Sequence, residues 1–123
     1  MQRSSLPARL LLMALLPVAA WAQETRPRVD GGDPARGKAA IERYACTACH
    51  VIPGVPGYGS NVGPPLRKMA LRGYIGGVLP NRPDDMVRWL RDPPAIDPRT
   101  AMPNLGITEA EAKDMAAYLY TLD

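Results

Sequence analysis

The sequence has no phenylalanine, two cysteines and a single histidine. Each scarcity excludes something. Without Phe, and with fourteen prolines and eleven glycines, ordinary side chains offer limited bulk for a core. One histidine rules out any site built on a pair of imidazoles. Long apolar runs are also missing. The stretch from Leu10 to Val18 (LLLMALLPV) is well short of the roughly 20 residues a spanning helix needs. No single charge sign dominates either: the formal net charge is +3, and removing Arg3 and Arg9 lowers it to +1. That balance points to no nucleic-acid partner.

The first twenty-two residues read as an export signal rather than as part of the fold. Arg3 and Arg9 precede the apolar stretch, and Ala20-Trp21-Ala22 places small residues before a cut at Gln23. An uncut membrane anchor is the alternative. Cleavage leaves about one hundred residues, enough for one small domain that often needs a staple. The expected organisation is a signal peptide over 1–22, a flexible polar leader over 23–32 and one domain over 33–123. The expected location is an exported, oxidising compartment, the periplasm of a Gram-negative cell, where two cysteines normally form a disulfide.

Both cysteines and the histidine fall in five consecutive residues, Cys46-Thr47-Ala48-Cys49-His50. Four readings fit Cys-x-x-Cys-His taken alone: a redox dithiol, half of a zinc site, an incidental pair, or the attachment signal for c-type haem. Zinc fits poorly, because structural sites take four Cys or His ligands and this chain has three. The dithiol reading expects a βαβ context. In the haem reading, Cys46 and Cys49 form thioethers and His50 presents its imidazole to the iron.

The rest of the chain reads as all-α. Asp33-Pro34 is an N-cap followed by proline at the first helical position. Gly37, Ala40, Ile41 and Tyr44 then share one face, in a helix ending near Tyr44. Residues 51–65 (VIPGVPGYGSNVGPP) form a Pro/Gly-rich loop that begins beside His50. The segment 66–81 is poorly patterned, with a short helix expected near Leu66 to Leu71. A helix opens at Pro83-Asp84-Asp85, carries Met86, Val87, Trp89 and Leu90, and stops near Asp92 ahead of Pro93-Pro94. Residues 93–104 are expected as loop. Thr108 and Glu111 form a capping box, followed at helical spacing by Ala112, Met115, Leu119 and Leu122. No strand is expected, which removes the context the dithiol reading wants.

A haem iron with one histidine has a sixth position open to Met, Lys, Tyr or nothing. Met86 and Met115 lie on apolar helix faces and read as core. Met69 sits in the unpatterned basic segment. Met102 lies in a loop, with Pro103 restricting the backbone after it. A thioether on a stiff loop suits an electron-transfer centre, and Met paired with His raises the reduction potential.

CTACH near the start, Met102-Pro103 near the end and helices between them resemble the class I (monohaem) c-type cytochromes. The resemblance covers about Gly32 to Leu122. It implies a small cytochrome c-like fold in which the N- and C-terminal helices cross around one covalent haem c. Gly37 and Ile41 match the spacing of the family's glycine and aromatic in the first helix, with Ile in place of the aromatic and one extra residue before Cys46. Ala117-Tyr118-Leu119 resembles the aromatic region of the last helix. Gly63-Pro64-Pro65-Leu66 resembles the family's Gly-Pro-x-Leu, which implies a hydrogen bond from the His50 Nδ1–H to the Pro64 carbonyl. By the same resemblance Arg72 lies near a propionate and Trp89 over the haem, with Asp92-Pro93 after it. Tyr74 and Asn81 are further candidates for the pocket.

The function this implies is a soluble periplasmic carrier of one electron, binding no substrate of its own and meeting redox partner proteins as donor and acceptor. One alternative is the cytochrome subunit of a periplasmic dehydrogenase or oxidase complex. Another is a five-coordinate haem enzyme or gas sensor. No second His and no acid positioned for distal catalysis favours that last reading. Between Arg67 and Arg91 six cations (Arg67, Lys68, Arg72, Arg82, Arg88, Arg91) stand against Asp84 and Asp85, while the last helix carries Glu109, Glu111 and Asp114 against Lys113. Part of the basic segment is expected to steer an acidic partner.

Overall fold

The computed structural model describes residues 26–123; the proposed signal peptide lies outside the described residues. Four helices carry the fold: α1 (Pro34–Arg43), α2 (Pro83–Arg91), α3 (Pro93–Ile96) and α4 (Glu109–Leu119). Between α1 and α2 lie two single 3-10 turns, Cys46–Ala48 and Met69–Leu71, and a hairpin of strands β1 (Tyr74–Ile75) and β2 (Leu79–Pro80).

The helix starts follow local chemistry. The Asp33 carboxylate accepts from the Arg36 N–H at 2.8 Å and opens α1, with Pro34 in the first turn. Thr108 and Glu111 cap α4 reciprocally. Asp92 ends α2 and also caps α3, accepting from the Ala95 N–H at 3.3 Å. Pro93 and Pro94 thus stop one helix and start the next, because a proline lacks only an N–H that the first helical turn leaves unpaired anyway. The loop expected from Pro93 is therefore shorter by that one turn.

α1 crosses α4 at its closest possible approach. Gly37 lies directly on the backbone of Asp114, and a Cβ there would overlap the Asp114 carbonyl. Buried around this crossing are Ala40 and Ile41 from α1 and Ala112, Met115, Ala116 and Leu119 from α4. α2 packs Met86 and Leu90 against the same helix. Each large apolar side chain taken out of water here contributes roughly 1.5–3 kcal/mol. Met86 and Met115 are core residues, as their spacing predicts, and Met69 is buried as well.

Side chains reinforce the crossing. Arg36 grips the buried Asp114 carboxylate with two hydrogen bonds, 2.8 Å from Nε and 2.9 Å from a terminal nitrogen. The Asp33 N–H donates to the same carboxylate at 2.8 Å. At the other end of α1, Arg43 and the Tyr44 hydroxyl reach Glu111 at 2.7 and 2.8 Å.

Two expectations change. The 23–32 leader is not free along its last residues. Val29 packs against the core, Gly32 abuts Lys113 and Ala117, and Arg26 pairs with Asp123. The 66–71 helix is one 3-10 turn, followed by a hairpin that pairs Tyr74 with Pro80 and Ile75 with Leu79. Ile75, buried on one side of that hairpin, is what ties it to the core.

Gly37→Ala is expected to cost about 3 kcal/mol or more, the upper end for overpacking, because a backbone cannot give way as a side chain can. Denaturant unfolding of the holoprotein measures it. Hydrogen bonds from Tyr44 and Thr108 pull the Glu111 carboxyl down from an ordinary 4.5 to about 2. A carboxylate depressed in the folded state stabilises above its unfolded pKa and stops doing so as pH falls towards its folded one. Stability should therefore drop between about pH 4.5 and about pH 2. Glu111→Gln should be less stable at neutral pH and show a shallower acid slope.

Candidate functional site

α1 delivers the chain to the Cys46–His50 turn. Tyr44 closes the helix, and Ala45 turns into the left-handed region at φ 52°. The motif then winds once upon itself: the Cys49 and His50 N–H groups both donate to the Cys46 carbonyl, at 3.2 and 3.0 Å. Positions three and four apart in such a turn fall on one side. Both thiols are half-buried, and burial pushes the Cys46 thiol up.

The 51–65 loop returns to this turn and closes over the imidazole. The Gly63 N–H donates to the Cys49 carbonyl at 2.7 Å, and the Leu66 N–H to the Val51 carbonyl at 2.8 Å. Gly63 lies flat on the ring; a Cβ there would come within 2.7 Å of His50 Nδ1. Nδ1 is 2.7 Å from the Pro64 carbonyl oxygen. A carbonyl can only accept, so Nδ1 carries the proton, and Nε2 of the neutral ring keeps its lone pair. α4 holds the loop from behind, where the Tyr118 hydroxyl donates to the Pro53 carbonyl at 2.7 Å.

Met102 is half-buried, packs against the core and donates its N–H to the Thr100 hydroxyl at 3.2 Å. Trp89, 8% exposed, lies with its ring against the backbone of Gly76 in the hairpin turn. Arg72 donates to two backbone carbonyls, Pro65 at 2.5 Å and Arg67 at 2.8 Å. Asn81 is a clamp: its amide donates to the carbonyls of Met69 and Arg72, both at 2.8 Å, and accepts from the Tyr120 hydroxyl at 2.9 Å. Burial drives that Tyr120 hydroxyl up to about 12, so it stays a donor. Tyr74 is largely exposed. Sequence reasoning missed the Gly63 contact, the Tyr118 bond to Pro53 and the Tyr120 bond to Asn81. None has a local signature, since the two hydrogen bonds join residues 65 and 39 positions apart.

The donor set fits a covalently held haem. Two thiols share one turn, the adjacent imidazole offers a free nitrogen, and a soft thioether sits on a restrained loop. The large apolar side chains left exposed lie outside the four α-helices: Val51, Tyr58 and Val62 in the loop after His50, Leu105 shortly after Met102, and Leu71, Tyr74 and Val78 in the 3-10 turn and hairpin. Among the described residues, no group of three His, Cys, Asp or Glu side chains could hold a metal by itself.

These features define a small, mostly helical domain fitted to hold one covalent haem. The chain belongs to the cytochrome c family, whose sequence profile matches residues 34–123. Membership brings one covalently bound haem c with its iron. Cytochrome cH from Methylobacterium extorquens is 27% identical, with a TM-score of 0.52 over 73% of this chain and 99% of that one. Cytochrome c2 from Rhodospirillum centenum is 26% identical, with a TM-score of 0.51 over 74% and 98%. A curated relative, cytochrome c oxidase subunit 2 of Alkalihalophilus pseudofirmus, is 28% identical over 88 residues. Those residues are 71% of this chain and 25% of that protein, so the chain spans about a quarter of that relative's length.

Gly63→Ala should displace the His50 ring from the Pro64 carbonyl, alter the low-spin haem spectrum and cost about 1–3 kcal/mol. Gly73, which has open space around its Cα, is the control. Gly73→Ala should leave the spectrum alone and stability within about 0.5 kcal/mol. Absorption spectra and denaturant midpoints of the two holoproteins check both.

Proposed function

We propose that this protein is a soluble periplasmic carrier of single electrons, with haem c attached through Cys46 and Cys49 and ligated by His50 and Met102. The observation that carries the reading is the Cys46–His50 turn, with its imidazole held by Gly63 and Pro64 and its Nε2 left free. When bound, the haem supplies an iron that gains and loses one electron.

The chain's own residues supply the rest. The Pro64 carbonyl fixes the His50 tautomer and makes the ring a better donor. Thr100 and Pro103 restrain the Met102 backbone on either side of the residue. His50 and Met102 would hold the iron from two restrained segments, and the group would supply one-electron chemistry there. Trp89 would cover the bound haem and Arg72 would offer it a cation, while Arg72 also braces its own turn. Export to the periplasm is supported by the pattern of the first twenty-two residues. Among the described residues no helix is long and apolar enough to cross a membrane.

A second reading, a cytochrome module working within a larger oxidase or dehydrogenase, is favoured by the match to a quarter of an oxidase subunit. Gentle purification from the native cell separates the two: a carrier travels alone, a subunit with its catalytic partner.

Denaturing mass spectrometry of the exported protein should show one added haem on a chain beginning at Gln23. Met102→Ala should abolish the sulfur-to-iron charge-transfer band, lower the reduction potential and let the ferrous form bind CO. Met86→Ala and Met115→Ala should cost about 2–5 kcal/mol of stability yet keep the band. A wild type without that band would remove Met102 as ligand.

A further inference from the structure

Two neighbouring carbonyls do different work beside the imidazole. The Pro64 carbonyl accepts from the His50 ring at 2.7 Å, and the Pro65 carbonyl accepts from Arg72 at 2.5 Å. The link between them is stiff. Each proline ring locks its own φ, and Pro65 also confines Pro64 to extended backbone. A carbonyl held at Pro65 therefore helps to aim the carbonyl at Pro64. Pro65 occupies the variable position of Gly-Pro-x-Leu, so this stiffness comes from the chain's own sequence.

Arg72 is in turn held by the segment behind it. It donates a second time, to the Arg67 carbonyl at 2.8 Å, and its own carbonyl accepts from the Asn81 amide at 2.8 Å. The same amide donates to the Met69 carbonyl at 2.8 Å, and the Asn81 backbone N–H donates to the Gly73 carbonyl at 3.0 Å. Met69, Arg72 and Gly73 thus all hang on Asn81. The Met69 and Arg72 carbonyls can only accept, so the amide nitrogen must face them and Oδ1 must face the other way. There the Tyr120 hydroxyl, on a residue 3% exposed, donates to Oδ1 at 2.9 Å. Tyr120 caps α4, so the relay starts from the helix that crosses α1.

We propose that Tyr120 and Asn81 are positioning residues for the axial histidine: through Arg72 and the Pro64-Pro65 link they set the hydrogen bond that His50 donates to Pro64. That bond fixes the ring and raises its basicity towards a metal. Calling the histidine axial rests on the carrier reading; the relay of hydrogen bonds does not.

The test follows hydrogen exchange of the His50 Nδ1–H in the reduced holoprotein by NMR. Tyr120→Phe keeps the buried ring and removes only the hydroxyl donor. It should quicken exchange about tenfold, the equilibrium equivalent of one hydrogen bond. Asn81→Ala should quicken it at least as much. Arg72→Leu should do so too, and adding Tyr120→Phe to it should bring no further change, because residues in one network are not additive. Ala110→Gly, at the exposed start of α4, is the control. It lowers the unfolding midpoint through helix propensity alone and should leave the ring proton protected. A tyrosine that merely packs the hairpin would lower the midpoint in Tyr120→Phe yet leave the exchange as in the wild type, and that result overturns the proposal. Full additivity with Arg72→Leu overturns it, as does an acceleration that Ala110→Gly reproduces. Should Asn81→Ala or Arg72→Leu fail to fold, Tyr120→Phe decides alone. A wild-type chain exported without haem is a failure of the carrier reading instead, visible before any exchange is measured.

Discussion

The contact of Gly37 with the Asp114 backbone sets the geometry on which the site depends. It allows α1 and α4 to touch without side chains between them. The interface can then be closed by groups that reach around it. Asp114 turns its carboxylate to Arg36 and the Asp33 N–H, fixing the start of α1. Glu111, one helical turn earlier, takes Arg43 and Tyr44, fixing its end. A buried carboxylate lacking those partners would destabilise the fold strongly. With them, α1 is held at both ends, and its last residue feeds the Cys46–His50 turn in one orientation.

The same helix then organises the loops. Tyr118 holds Pro53 in the loop that closes on His50. Tyr120 reaches Asn81, and the Leu122 carbonyl accepts from the Ala70 N–H at 3.0 Å. Three segments that lack extended secondary structure are thus tied to α4 or to the few residues that follow it. That matters in a chain without Phe, where packing alone has little bulk to immobilise a loop. Hydrogen bonds to backbone carbonyls do the work instead, and they leave no described side-chain N or O buried without a partner.

What was legible in the sequence follows from this division. α1, α2 and α4 announce themselves through caps and through apolar spacing, because a helix is a local structure with a local signature. The Cys46–His50 turn is legible for the same reason. The His50 bond to Pro64 was reached through a family resemblance, not through any pattern in the residues alone, and the 2.7 Å contact agrees with it. The segment 66–81 was opaque because its order comes from Arg72 and Asn81 reaching backbone carbonyls, and from Tyr120 far along the chain. Strands of two residues are too short to show alternation. Arg72 shows the limit of reading roles from position: an arginine expected beside a propionate is first of all the brace of its own turn.

Charge gives the same lesson at a larger scale. A net charge near zero suggests a surface without direction. Net charge counts residues, however, and a partner meets only those not already neutralised by a neighbour. Pairing removes Arg82, Arg88 and Arg91 from that account, and of the cations between Arg67 and Arg91 only Arg67, Lys68 and Arg72 form no ion pair among the described residues. The uncharged 51–65 loop lies between that turn and His50. The chain therefore carries, in sequence order, an attachment turn, a neutral collar that fixes the imidazole, and a preformed basic turn.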